Sequence, residues 1–398
     1  MNTGLRIGLF GYGVVGHGVY DILSKNEQIG KIVKICVKDR SKKRDLPQNH
    51  FTYDKNEILE SKDINLIVEV IDDAEAAFEI VIQAMKNGKN VISANKKMIA
   101  QHWDTLIQLQ KQTGVSFLYE ASCCGSIPII RNLEEYYDNE LLYSVSGIFS
   151  GSCNYILTRM FQESLDFDIA LKQAQDMGFV EKDAFLDLTG LDASYKLIII
   201  CSHAYGVYVN PQHVLNHGIL NLSSHDVQFA KEKGLLIKLV SYVGKIDNER
   251  IILFTLPHFV DHQSHFHHVN YENNAVLVEA VFSDKQLFIG KGAGAHPTGS
   301  AVLSDISANR YDYKYEYKKF FSNKKVVYST SVELEVYFRY YDEKNLNHFR
   351  FERITEKYFG KDFNYVIGNI KLDELLANKE KLNSADIQVI CTGKIKTV

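Results

Sequence analysis

The chain has 398 residues, of which 24% are charged and 45% apolar, and its formal net charge is −4. At roughly 100–200 residues per domain this length suggests two or three domains, and the near balance of charge excludes a global basic field that would gather nucleic acid or anionic lipid. Small molecules and further copies of the chain are left as partners.

Six cysteines (Cys36, Cys123, Cys124, Cys153, Cys201 and Cys391) are scattered without a C-x-x-C pair, which argues against a disulfide framework and a zinc site. No uncharged run is long enough to cross a bilayer. Met1 leads straight into the apolar stretch at Leu5 without the basic flank and cleavage site of a secretory signal, so a cytoplasmic location is expected.

From Leu5 to about Tyr119 the strand-like runs LRIGLF, IVKICV, NLIVEV, NVIS and VSFLY alternate with helical segments. This is the rhythm of a doubly wound parallel sheet. Directly after the first run comes GYGVVG, comprising Gly11, Tyr12, Gly13, Val14, Val15 and Gly16, and it opens a helix. In a Rossmann-type dinucleotide site the first glycine permits the tight turn, the second lets the backbone approach a pyrophosphate, and the third allows close helix packing. The second strand ends in Val37-Lys38-Asp39-Arg40, which offers an acidic group for a ribose and a basic one for a 2′-phosphate. Arg40, with Lys42, Lys43 and Arg44, tilts the expectation toward NADP over NAD. In the helix after Asp73, Ala77, Ile80, Val81, Ala84 and Met85 share one face, and Asn87-Gly88 is its stop signal.

Beyond Pro128 a strand (Tyr143 to Ser150), helices around 154–163, 169–177 and 191–205, and four further strand candidates predict an α+β second domain with a mixed sheet over 131–297. The segment GKGAGAHPTGSAVLSDI gives a loop and a helix that return the chain, over about 298–320, to a first domain of residues 1–130. The tail, 326–398, reads as a third, small α+β module.

Asp192 and Lys196, four residues apart on the third of those helices, place a carboxylate and an ammonium on one face, where they can orient each other. Oxidation of an alcohol by hydride transfer needs such a group to take the hydroxyl proton. Taken alone, the pair is an ordinary exposed i, i+4 ion pair. The motifs SANKKMIA from Ser93, YEASCCGSIPII from Tyr119, GSCNYILTRM, GFVEKDAFLDLTGLDASYK ending at Lys196, and GKGAGAHPTGSAV follow in order between Leu5 and Ile306. Together they closely resemble the homoserine dehydrogenases.

The resemblance implies interconversion of L-homoserine and L-aspartate 4-semialdehyde with NAD(P)(H), in threonine, methionine and isoleucine biosynthesis. It implies Lys196 as proton donor and acceptor, Asp192 positioning the reacting group, and Lys96 near the nicotinamide. Glu181 and Asp187 would hold the substrate ammonium, and Ser93, Gly292 and Gly294 would line the cofactor. A monovalent cation, Na+ or K+, maps onto Glu120, Cys123, Gly125 and Ile127. The tail weakly resembles a regulatory ACT module, which makes threonine a candidate effector and a homodimer or higher homo-oligomer the expected assembly. An unperturbed lysine titrates near about 10.4, so homoserine oxidation is expected to favour alkaline pH unless Lys96 or burial lowers Lys196.

Four positions depart from the family pattern: Asp72-Asp73 replaces a Gly-Gly pair beside the cofactor, Ala184 a proline, and Leu186 a frequent acidic residue. Asp73 is a candidate helix cap. His258, His262, His265, His267 and His268 match no zinc spacing and read as a surface loop, and Cys123-Cys124 reads as buried packing. Two other functions are compatible with the motifs: a dehydrogenase of the same fold acting on a related amino acid, and a nucleotide sensor without catalysis. The latter needs only the glycine loop, not Lys96, Glu181, Asp192 and Lys196 together.

Overall fold

The computed structural model describes residues 4–139, 141–180, 183–322, 326–383 and 386–397. The chain forms two compact units, Met1–Tyr136 with Lys291–Tyr317, and Tyr137–Gly290 with Lys318–Val398. Among the described residues no helix is long and apolar enough to cross a membrane.

The first unit is built on a six-stranded sheet of β1 (Leu5–Phe10), β2 (Gly30–Cys36), β3 (Phe51–Thr52), β4 (Leu66–Glu69), β5 (Asn90–Ser93) and β6 (Phe117–Leu118). The order is β3-β2-β1-β4-β5-β6 and every described pairing is parallel. Leu66, Ile67 and Val68 are wholly buried because helices cover both sheet faces. The helix Ala74–Lys86 buries Ala77, Ile80, Val81, Ala84 and Met85, the face its periodicity foretold, and ends at Asn87 before Gly88 in the left-handed region. The returning helix Ala295–Asn309 lies against Val14–Ser24. Gly18 permits this, since a Cβ there would come within 2.1 Å of the Ala295 carbonyl.

The second unit holds β7 (Leu142–Ile148), β8 (Leu215–Asn216), β9 (Leu236–Lys245), β10 (Arg250–Val260), β11 (Asn273–Ala280), β12 (Asp284–Lys291), β13 (Val327–Tyr328), β14 (Val332–Tyr340), β15 (Phe351–Phe359), β16 (Asn364–Lys371) and β17 (Ile387–Thr397). Their main order is β12-β11-β7-β9-β10-β17-β14-β16-β15. Where a separate third unit is expected from the sequence, the tail instead extends this sheet through β17. The physical reason is a shared core: Ile252, Phe254 and Leu256 of β10 pack with Val332, Leu334 and Val336 of β14 and with Leu372 and Leu375. Beneath it Arg339, fully buried, pairs with Asp226 at 2.9 Å.

The helix Leu191–Tyr205 has the bounds read from the sequence, and all but Leu191 of its residues are buried. A helix buried on every side has no solvent face to offer, so the two charges it carries, Asp192 and Lys196, are taken out of water with it.

Candidate functional site

In the first unit Gly11 has φ +99°, and a Cβ there would meet the Val70 carbonyl at 2.8 Å. A Cβ on Gly16 would come within 2.2 Å of the Gly11 carbonyl, whereas at Gly13 it would meet nothing within 4 Å. The first and third glycines thus serve the fold, and the second keeps open the space at the N-terminus of the helix Val14–Ser24. That terminus carries no side-chain cap and no acidic residue in its first turn, so its N–H groups and dipole suit an anionic ligand such as a pyrophosphate. Tyr12 donates to Asp45 at 3.0 Å, and His17 lies 3.0 Å from the same carboxylate.

The loop after β2 is organised by its own charges. Asp39 accepts from the backbone N–H and the hydroxyl of Ser41, both at 2.7 Å, and these bonds hold its carboxyl below the ordinary range. The Arg40 guanidinium lies over the Tyr53 ring at 4.7 Å. The departure at Asp72-Asp73 is accommodated locally: Asp73 caps the following helix by accepting from Ala76 N–H at 3.1 Å, and Asp72 is exposed.

Lys96, half-buried, is the first residue of the helix Lys96–Thr113. Gly294 caps the helix Ala295–Asn309 with φ +118°. Gly292 lies against Gly125, where a Cβ on Gly125 would come within 2.7 Å of the Gly292 backbone. Glu120 turns out to be a cap: its two carboxylate oxygens accept from Ile130 and Arg131 N–H at 2.8 and 2.9 Å. Arg131 lies 3.7 Å from Glu120 and 3.6 Å from Asp305, and burial first, then the Glu120 charge, push the Asp305 carboxyl well up. Cys123 and Cys124 are fully buried, in keeping with a packing role.

In the second unit the Lys196 Nζ lies 2.5 Å from Asp192 Oδ2 and donates to the Phe149 carbonyl at 2.8 Å. Both side chains are about 10% exposed, so the surface ion pair that the spacing alone would suggest is here a held, nearly dry one. Asn274 donates to the same Phe149 carbonyl at 3.2 Å. The Cys153 thiol donates to the Asp187 carbonyl at 3.2 Å. Burial pushes that thiol up, and the charges of Asp187, Asp192 and Lys196 all act on it, which places these groups in one neighbourhood. Glu181 lies outside the described residues.

Phe149, Asn274 and Cys153 were not singled out from the sequence. A backbone carbonyl leaves no signal, although Cys153 sits in the quoted motif GSCNYILTRM. The histidine-rich stretch holds no metal cluster among the described residues. His258 belongs to β10 rather than to a surface loop, and burial holds its imidazole down at about 4, so it stays neutral.

Residues 11–120 match the NAD binding domain of homoserine dehydrogenase, and residues 128–307 match the homoserine dehydrogenase family itself. The Bacillus subtilis homoserine dehydrogenase is 33% identical over 314 residues, covering 76% of this chain and 72% of that one. The Helicobacter pylori enzyme is 36% identical, covering 77% and 74%. A crystal structure of a homoserine dehydrogenase from Thiobacillus denitrificans superposes with a TM-score of 0.83 at 26% identity, covering 98% of this chain and 99% of that one. The glycine loop, the lysine–aspartate pair and these likenesses agree, and the chain belongs to the homoserine dehydrogenase family.

Proposed function

We propose that the protein interconverts L-homoserine and L-aspartate 4-semialdehyde with Lys196 moving the hydroxyl proton, as a step toward threonine, methionine and isoleucine. The observation that carries this reading is the clamp on Lys196, whose ammonium is fixed by Asp192 and the Phe149 carbonyl on a buried helix. The bound nicotinamide supplies the hydride acceptor or donor. Lys196 gives its proton to the aldehyde oxygen in reduction and takes it back in oxidation. Asp192 keeps the lysine in one orientation, which counts because catalysis falls steeply with misplacement of the reacting groups. Asp187 and Glu181 are assigned to the substrate ammonium, since charge-assisted hydrogen bonds fix orientation well.

The open space at Gly13 and the uncapped N-terminus of the helix Val14–Ser24 fit a dinucleotide held by Gly11, Tyr12, Gly13, Val14, Val15 and Gly16. Ser93, Lys96, Gly292 and Gly294 are assigned to the same ligand. NADP is favoured over NAD: the Asp39 carboxylate is engaged by Ser41, while Arg40 stands exposed. A Na+ or K+ ion is assigned to the buried carboxylate of Glu120. Carbonyl oxygens of Cys123, Gly125 and Ile127 would complete its shell. A cytoplasmic homodimer, with threonine acting on the tail, completes the reading.

Asp192→Asn tests it. The variant keeps the side chain's shape but removes the charge, so kcat is expected to fall by about ten- to a hundredfold with the cofactor dissociation constant unchanged. An unchanged kcat would remove Asp192 from the mechanism.

A further inference from the structure

Glu69 ends β4, at the carboxyl edge of the parallel sheet where open α/β folds bind their ligands. Its side chain is wholly buried. One oxygen accepts from Ile71 N–H at 2.7 Å and the other from the Ser93 hydroxyl at 2.5 Å. Ser93 Oγ in turn accepts from Asn95 N–H at 3.1 Å, and the Asn95 amide donates to the Ile71 carbonyl at 3.0 Å. The bonds close a ring through Glu69, Ile71, Asn95 and Ser93 that ties the loop after β4 to the loop after β5. Asn95 also caps the next helix by accepting from Met98 N–H at 2.9 Å, and the first residue of that helix is Lys96.

A carboxylate is a costly way to join two loops. Burial, with the nearby charge of Asp72, pushes the Glu69 carboxyl up to about 7, against the pull of Ser93 and Ile71. What an ionised carboxylate offers is acceptance on both oxygens. The single proton of Ser93 can then point at Glu69 while its lone pairs face Asn95 N–H. A glutamine has one acceptor and two donors, so it would force the Ser93 proton elsewhere and break the direction of the ring.

We propose that Glu69 is a positioning residue for hydride transfer, setting Ser93 and Lys96 against the nicotinamide through this ring. The inference rests on the assignment of Ser93 and Lys96 to the cofactor.

Glu69→Gln is the test, assayed with aspartate 4-semialdehyde and NADPH carrying deuterium at the transferred position. The expected result is a kcat at least about tenfold lower and a larger deuterium isotope effect, with NADPH affinity, read by fluorescence, within about threefold of the parent. Thermal stability should hold or rise. A carboxyl raised from 4.5 to about 7 favours folding fully only below pH 4.5, and that contribution is lost as pH rises through 7, so the variant's gain belongs above pH 7. An unchanged kcat and isotope effect in the folded variant would overturn the proposal, as would a loss of activity that only tracks a loss of stability. Should Glu69→Gln not fold, Ser93→Ala is expected to reproduce the kinetic loss, and Ser93→Ala at parental kcat would overturn it. If the parent protein itself shows no activity, the assigned reaction fails instead.

Discussion

Replacing Lys196 by alanine is expected to lower kcat by about 10²–10⁴-fold, the usual contribution of a positioned general acid and base, while the cofactor dissociation constant stays within about twofold. The asymmetry follows from where the residue sits. Lys196 is bonded to Asp192 and the Phe149 carbonyl, all in the second unit, whereas the glycine loop and Arg40 belong to the first. Removing the ammonium leaves a carboxylate about 10% exposed without that cation, so a thermal melt must accompany the kinetics. Loss of turnover in a folded protein that still binds NADPH is the predicted outcome. A folded variant with full activity would take Lys196 out of the chemistry.

The largest stability effect is expected at Asp226→Ala. Asp226 and Arg339 are both fully buried, and Asp226 also accepts from Ser223 N–H at 2.8 Å and from the Tyr337 hydroxyl at 3.1 Å. Arg339 further donates to the Asn221 carbonyl. Breaking such a pair leaves a buried guanidinium uncompensated, at a cost of about 3–5 kcal/mol, or roughly 10 °C in melting temperature for a unit of this size. The double variant Asp226→Leu, Arg339→Met removes both charges and should recover most of that loss, because the desolvation penalty goes with them. Asp226→Ala within about 1 kcal/mol of the parent would mean that water reaches the pair.

Much of this was legible in the sequence, for identifiable reasons. The glycine loop and the helix Ala74–Lys86 are local events, governed by the spacing of a few residues, and they appear where the spacing put them. The helix Leu191–Tyr205 was bounded by Gly190 and Gly206, both in the left-handed region. What stayed hidden depends on partners distant along the chain. The two-residue strands β3 and β8 are too short for any period, and the tail joins the second unit's sheet through Ile252, Phe254 and Leu256, whose alternation says only that a core lies on that side. Glu120 was legible as a carboxylate candidate, but that its oxygens also accept from the N-terminus of a helix ten residues on depends on the fold. Glu69 is one residue inside the strand-like run NLIVEV, and only the fold brings Ser93 to it. The Phe149 carbonyl that steadies Lys196 has no side-chain chemistry to read at all.

The central claim is tested most directly by absorbance at 340 nm, with purified protein and L-homoserine, NAD and NADP side by side from neutral to alkaline pH. The account predicts homoserine-dependent reduction, faster with NADP than with NAD and rising toward alkaline pH. Silence with both cofactors from a folded protein would contradict it.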